Sequence, residues 1–71
     1  MTVKMHSVES SNIDAIGFDF EKEELFVDFK NGSSYKYDGV PADTFRGFMT
    51  ADSKGKYLIA YIKGVYPFTK L

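Results

Sequence analysis

The stretch that decides the fold is FKNGSSYKYDGVP, which spans residues 29–41. It follows a segment in which Leu25, Val27 and Phe29 alternate with other residues, a spacing typical of a strand with one buried face. The Asn-Gly pair at 31–32 supplies the positive φ angles that a tight hairpin turn requires. The stretch therefore predicts two antiparallel strands joined by a short turn.

The strand after the turn carries Tyr35 and Tyr37, which share one face of the sheet because they are two residues apart. After Pro41 the spacing of the apolar residues changes from that of a strand to that of a helix, and proline suits the start of a helix. A helical face continues through Phe45, Phe48 and Met49. A first helix is therefore predicted directly after the hairpin.

Two further elements are predicted on either side of this segment. Upstream, the chain becomes strand-like from Ile13, with Ile16, Phe18 and Phe20 on one face. Downstream, a second helix is predicted from about Lys54 to Lys63, with Ser53 as its N-cap.

These elements predict an α+β fold: a three-stranded antiparallel meander sheet followed by two helices packed on one face. We expect one domain over residues 1–71, with its core at about 10–68 and a flexible N-terminal segment at 1–9. Residues 65–68 are predicted to dock on the body as an extended tail through their rings. The other sheet face is predicted to stay at least partly open.

Composition narrows the class of protein. The 71 residues include seven Phe and five Tyr but no Cys, so aromatic packing replaces disulfides and no thiolate metal site is possible. His6 is the only histidine, and the acidic run at 19–24 lacks the glycine of a calcium loop. With no paired acid and base, we expect a non-enzymatic protein without catalytic residues, metal or cofactor. The N-terminus lacks the apolar core of a signal peptide and no apolar run spans a membrane, so a cytoplasmic location is expected.

Charge is segregated along the chain. Residues 1–45 hold nine acidic and four basic side chains, a net charge of −5, whereas residues 46–71 hold five basic and one acidic, a net charge of +4. A basic C-terminal third is suited to an anionic partner. The overall net charge of −1 argues against indiscriminate binding to duplex DNA.

The chain resembles the KTSC domain, a family named for its occurrence at the C-terminus of some lysyl-tRNA synthetases and also found as free-standing bacterial and phage proteins. The matching residues are Ser10-Ser11-Asn12-Ile13, Gly17-Phe18-Asp19, Leu25, Val27, Phe29, Gly32, Tyr35, Tyr37, Val40-Pro41, Ala51, Ser53-Lys54-Gly55-Lys56-Tyr57, Ile62-Lys63 and Tyr66-Pro67. Position 18 is Phe here, whereas many relatives carry Tyr. The family has no established activity, and the resemblance implies a nucleic-acid or RNA-binding role.

The leading hypothesis is a small binding module for RNA or single-stranded nucleic acid. The start of the second helix offers backbone N–H groups and lysines to a phosphate, and the two tyrosines offer rings to bases. The candidate residues are Arg46, Ser53, Lys54, Gly55, Lys56, Lys63, Tyr35 and Tyr37. The alternative for each group is structural: Ser53 only caps the helix while the lysines are solvated, and the tyrosines pack beneath the helices.

Other functions are left open by the sequence. Phe26 is out of phase with the alternating apolar residues of its strand, and Lys36 points from the open sheet face, near Asp28 or Lys30. This face or an edge strand therefore suits a protein partner or a second copy. A phage-encoded inhibitor is a further possibility, in which the acidic N-terminal portion mimics nucleic acid.

Overall fold

The computed structural model describes residues 3–71. The strands are β1 (Met5–Ser7), β2 (Ile13–Asp19), β3 (Glu24–Phe29), β4 (Ser34–Asp38) and β5 (Phe68–Lys70). They form one antiparallel sheet in the order β1-β2-β3-β4-β5, so that each strand pairs with its neighbours along the chain. Both helices lie between β4 and β5.

The α+β class, the antiparallel sheet and the two helices are confirmed, but the prediction of three strands is wrong. β1 pairs with β2, and β5 pairs with β4, which extends the central meander on both sides. The prediction of a flexible N-terminal segment is also wrong over residues 5–7, because these residues form β1. Residues 1–2 of that segment lie outside the described residues. Each added strand has only three residues, most of them exposed, and so shows no alternation of apolar and polar side chains.

The helices follow the predicted positions closely. Helix α1 (Ala42–Thr50) begins after Pro41, whose carbonyl oxygen accepts hydrogen bonds from Thr44 and Phe45. Helix α2 (Lys54–Tyr57) continues as a π-helical segment (Leu58–Ile62). Within residues 3–71, no helix has the length and apolar character needed to cross a membrane.

A β-bulge in β2 explains why its sequence alternates irregularly. Ile13 pairs with Phe29 and Ala15 pairs with Asp28, so one residue of β2 is inserted between them. Ile13 and Ile16 are three residues apart, yet both are completely buried. The bulge therefore places both isoleucines in the core, where a regular strand would send them to opposite faces.

The core lies between the sheet and the helices and is rich in aromatic residues. Phe18 of β2 stacks on Phe45 of α1 with ring centroids 4.9 Å apart. Tyr57 of α2 stacks on Phe48 at 5.5 Å and donates a hydrogen bond of 3.0 Å to the carbonyl oxygen of Thr44. These contacts join both helices to the sheet and to each other.

Candidate binding groove

A groove of about 350 Å³ opens on the helix-covered side of the sheet. Four parts of the chain line it: the start of β2, the end of the β3–β4 hairpin, the strands β4 and β5, and α2 with its π-helical continuation. We call this the binding groove. It lies over the sheet next to the packed core, and Ile13, Tyr37 and Leu58 belong to both.

One wall of the binding groove is aromatic. Tyr35 is at its centre, with ring centroids 5.5 Å from Phe29, 6.4 Å from Tyr37 and 5.4 Å from Phe68. The strand register produces this wall, because Tyr37 pairs with Phe68 across β4 and β5 and their side chains share one face. Phe68 is 59% exposed, so its ring is accessible to a ligand.

The opposite wall belongs to the second helix. Gly55, Ile59 and Lys63 line the groove from successive turns of this helix. A Cβ atom placed on Gly55 would have no neighbour within 4 Å among the described residues, so the glycine leaves space at this wall. Ile59 is 68% exposed, which is unusual for a large aliphatic side chain.

One end of the groove is polar and is formed by Asn12, Asn31 and Ser33. The backbone N–H of Lys30 donates a 2.8 Å hydrogen bond to the carbonyl oxygen of Asn12, which holds the start of β2 against the hairpin. A second cavity of about 520 Å³ shares Asn12 and Asn31 and adds Ser11 and Lys30. The groove therefore continues past the hairpin into a polar region.

Four of the eight predicted nucleic-acid residues lie in this groove. They are Tyr35, Tyr37, Gly55 and Lys63. The hairpin and the second helix are distant in sequence, so their convergence is a property of the fold.

The other four residues have structural roles or lie outside the groove. The Ser53 hydroxyl accepts a hydrogen bond of 3.3 Å from the Lys56 backbone N–H. Ser53 therefore caps the helix, as the structural alternative for this residue predicts. Lys54 donates to the Ala51 carbonyl oxygen at 2.6 Å. Arg46 pairs with Asp43 on the exposed side of α1 at 2.8 Å. At the predicted phosphate site, Ser53 and the ammonium group of Lys54 are therefore engaged within the chain, and Lys56 lies outside the groove.

The burial of Tyr37 contradicts the hypothesis that the two tyrosines form a stacking platform and agrees with the structural alternative. It is only 4% exposed, and burial raises the pKa of its phenol, with a smaller contribution from neighbouring Tyr35. A ring that is covered on both faces cannot stack on a base. Tyr35 is half-buried, and Phe68 supplies the accessible ring that Tyr37 does not.

The open face of the sheet carries the residues of the protein-interaction alternative. Phe26 is half-buried and pairs across the strands with Lys36. Lys36 contacts Glu24 at 3.3 Å and Asp38 at 3.6 Å, not Asp28 or Lys30 as expected. The hydrogen bond to Glu24 and the charge of Asp38 raise the pKa of Lys36. The edge of β4 that the sequence left open is covered by β5.

Three of the nine acidic residues in the N-terminal portion form ion pairs. Glu24 and Asp38 share the ammonium group of Lys36, while Asp43 lies on α1 against Arg46. These pairs lie on the open sheet face and in the helix layer, respectively.

Several residues of the groove are not among those predicted from the sequence. The sequence indicates only a strand position for Phe29 and only a docking tail for Phe68, because the three residues of β5 carry no strand pattern. Asn12 and Asn31 have the sequence context of loop and turn residues. The clustering of Asn, Phe and Tyr around the hairpin was the available signal, but their convergence depends on the pairing of β4 with β5.

Comparisons with known proteins identify a family and several relatives to which this chain is similar. A family model described as the KTSC domain matches residues 9–66. The fold is similar to the crystal structure of a KTSC domain protein from Yersinia pestis, with a TM-score of 0.93, 35% sequence identity and 99% of each chain covered. An uncharacterized protein of Stutzerimonas stutzeri is 33% identical over 55 residues, which are 78% of each chain. A protein of Tsukamurella paurometabola is 36% identical over 59 residues, which are 83% of this chain and 88% of the relative.

Proposed function

The chain belongs to the KTSC domain family, and on that premise we propose that it is a small non-enzymatic module that binds RNA or single-stranded DNA in the binding groove. The observation that carries the proposal is the accessible ring of Phe68 beside Tyr35, with Lys63 across the groove. Rings and cations on facing walls are the combination that single-strand binders use.

The aromatic wall supports base stacking. Phe68 and Tyr35 form a tilted pair, and the greater part of the Phe68 surface is exposed. Stacking of one base on an aromatic side chain contributes about 1–3 kcal/mol and tolerates any base, because every base has a π-face. The groove therefore supplies affinity without requiring a particular sequence.

Lysines near the groove support phosphate binding. Lys63 lines the groove itself, and Lys70 pairs with Tyr35 across β4 and β5 and so lies on the same face. Both side chains belong to the basic C-terminal third of the chain. Two phosphate contacts give a slope of about −1.4 in log K against log salt concentration for a single strand.

Fluorescence anisotropy with labelled RNA and DNA dodecamers over a salt series tests the proposal. Phe68→Ala is expected to weaken binding about tenfold. Its matched control is Phe20→Ala, since Phe20 is 60% exposed but packs on Phe18 and Phe45 away from the groove.

Lys63→Ala tests the electrostatic part in the same series. It is expected to reduce the salt slope by about 0.7, whereas Lys22→Ala, in the exposed β2–β3 turn, leaves the slope unchanged. Absence of binding at low salt, or equal losses in groove and control variants, would falsify the proposal.

A second candidate is a protein-interaction surface on the open sheet face. Phe26 supports it, because this partly exposed ring lies on the face opposite the core, with Lys36 across the strands on one side and Gly17 on the other. Light scattering over a concentration range, with Phe26→Ser as the variant, tests self-association through this face. A mass that stays monomeric at all concentrations excludes the dimer.

A further inference from the structure

We propose that the polar end of the binding groove selects one unpaired adenine of the bound strand through the side-chain amides of Asn12 and Asn31. This inference rests on the proposed function, because it assigns base preference to the same groove. Both asparagines line the groove beside the aromatic wall. A base stacked on that wall would present an edge to them.

The hairpin holds the two asparagines side by side. The hydrogen bond from the Lys30 N–H to the Asn12 carbonyl oxygen ties the residue next to Asn31 to the Asn12 backbone. The Asn31 Oδ1 atom accepts a 3.0 Å hydrogen bond from the Ser33 backbone N–H, which fixes its side chain within the turn. The Asn31 amide is therefore fixed before a ligand binds, and the exposed Asn12 side chain turns toward the base from an anchored backbone.

The remaining hydrogen-bonding groups have a definite pattern. With Oδ1 of Asn31 engaged in the turn, its Nδ2 group is left as a donor. Among the described residues, Asn12 forms hydrogen bonds only through its backbone, so its side chain offers one donor and one acceptor. The two amides thus present two donors and one acceptor, beside the Ser33 hydroxyl group at the same end.

Adenine complements this set. Its exocyclic amino group is a donor that lies between the ring acceptors N1 and N7, and asparagine pairs with adenine in this bidentate manner. Uracil also presents one donor between two acceptors, whereas guanine and cytosine present other orders. The amides alone therefore favour adenine and uracil over guanine and cytosine.

The aromatic wall favours adenine over uracil. The rings of Phe29, Tyr35 and Phe68 follow one another at centroid separations of 5.5 and 5.4 Å. Because Tyr35 stands at 87° to Phe29 and at 47° to Phe68, a base stacks on the exposed Phe68 ring alone, and a bicyclic purine covers more of that ring than a pyrimidine does. The groove volume of about 350 Å³ suits one base with its sugar.

The charge around the groove matches the strand that would carry the base. Lys63 lines the groove on the helix wall, and Lys30 lines the cavity that extends it beyond the two asparagines. A base held between these cations has phosphates on both sides of its sugar. The occupant is therefore a nucleotide within a single strand.

Cytidine nonamers that differ only at the central base test this inference by anisotropy on the full chain. We expect the strand with a central adenine to bind about tenfold more tightly than the all-cytidine strand, with uracil between them. Asn12→Ala is expected to reduce the ratio of adenine to cytosine affinity to about one.

Asn31→Asp is the sharper variant, because the carboxylate keeps the oxygen that accepts from Ser33 but replaces the donating Nδ2 group. Its added charge weakens all strands alike, so the adenine-to-cytosine ratio isolates the lost donor. Urea unfolding checks that both variants remain folded. Equal binding of all four nonamers, or a preference that survives both substitutions, overturns this inference while the proposed function stands. If none of the nonamers binds at low salt, the proposed function itself fails.

Discussion

The helix-covered side of the sheet has two ends that differ in packing. At the α1 end, Phe18 stacks on Phe45 and Tyr57 fits against α1 at Gly47, so the layers are in full contact. At the other end, Gly55 of α2 faces empty space and the binding groove opens. We call these the packed end and the groove end.

The contrast shows how a small domain divides its aromatic residues between stability and binding. A chain of 71 residues without cysteine depends on its rings for a core, and the packed end supplies that core. The groove end has an exposed Phe68 and an exposed Ile59, which add little to stability. Phe20 is equally exposed at the packed end, so exposure alone does not mark a binding site; Phe68 and Ile59 differ in lining a groove, which a ligand explains better than folding does.

Replacement of one phenylalanine at each end gives the largest test of this contrast. Phe48 is completely buried and stacks on Tyr57, so Phe48→Ala is expected to cost about 3–5 kcal/mol in free energy of unfolding. Phe68→Ala removes a mostly exposed ring and is expected to cost less than about 1 kcal/mol. Urea denaturation measures both, and similar losses would contradict the division into two ends.

The two glycines of the helices provide a finer test, because alanine should act in opposite directions at the two sites. A Cβ atom on Gly47 would collide with the Tyr57 hydroxyl group, which donates to the Thr44 carbonyl oxygen. Gly47→Ala is therefore expected to destabilise the protein by about 1–2 kcal/mol, even though alanine has the higher helix propensity. Circular dichroism with urea checks this value.

Tyr57→Phe is the companion variant for Gly47→Ala, since it removes the atom closest to the new methyl group. In this background the cost of Gly47→Ala is expected to fall, giving a coupling energy of about 0.5 kcal/mol or more. Independent, additive effects would show that Gly47 is not there to admit Tyr57.

At Gly55 the same substitution is expected to be favourable. The glycine has no close neighbour and does not adopt a positive φ angle, so Gly55→Ala should stabilise the protein by about 0.5–1 kcal/mol through the lower entropy of the unfolded chain. Thermal unfolding measures the gain. A loss of stability would mean that the groove wall is packed more tightly than the structure indicates.

Much of the fold is encoded locally and was predictable. The β3–β4 hairpin is encoded around Asn31-Gly32, and Val27 pairs with Tyr35 across it, but only Gly32 has a positive φ angle. The turn is therefore longer than the Asn-Gly pair predicts and is closed by the hydrogen bond from the Phe29 N–H to the Ser33 carbonyl oxygen. Pro41 and Ser53 mark the starts of both helices. The short strands β1 and β5 were not predictable, because pairing with the sheet determines their conformation and their own sequences carry no period.

The groove was predictable only in part. Its aromatic and basic components are predictable in Tyr35 and Lys63, but no local pattern distinguishes the covered ring of Tyr37 from the exposed ring of Phe68. That difference arises from tertiary packing of β5 on β4. The predicted phosphate site failed at Lys54 for a local reason, since its ammonium group bonds to the Ala51 carbonyl oxygen.

The smallest effect concerns Tyr37, which belongs to both ends because it is buried in the core and also lines the groove. Burial raises the pKa of its phenol above the ordinary value of 10.0, with neighbouring Tyr35 as the lesser cause. Below about pH 10 the phenol is neutral in the folded and unfolded chains, so it adds no pH dependence. As pH rises further, the unfolded chain ionises first and the free energy of unfolding falls, by at most ~1.4 kcal/mol per pH unit from this group.

Tyr37→Phe is therefore expected to make the loss of stability between about pH 10 and 11 shallower than in the parent chain. The substitution is conservative, since the described residues include no hydrogen-bond partner for the Tyr37 hydroxyl group. Lys36→Met is the control on the open face: Glu24 and Asp38 raise the pKa of Lys36, so its contribution to stability is complete below the ordinary lysine value of 10.5 and is lost as pH rises above that value through the raised pKa. Urea midpoints measured across this pH range separate the two groups. If the parent chain and the Tyr37→Phe variant have parallel pH profiles, the phenol is in contact with solvent in the groove. The boundary between the packed end and the groove end then lies on the core side of Tyr37.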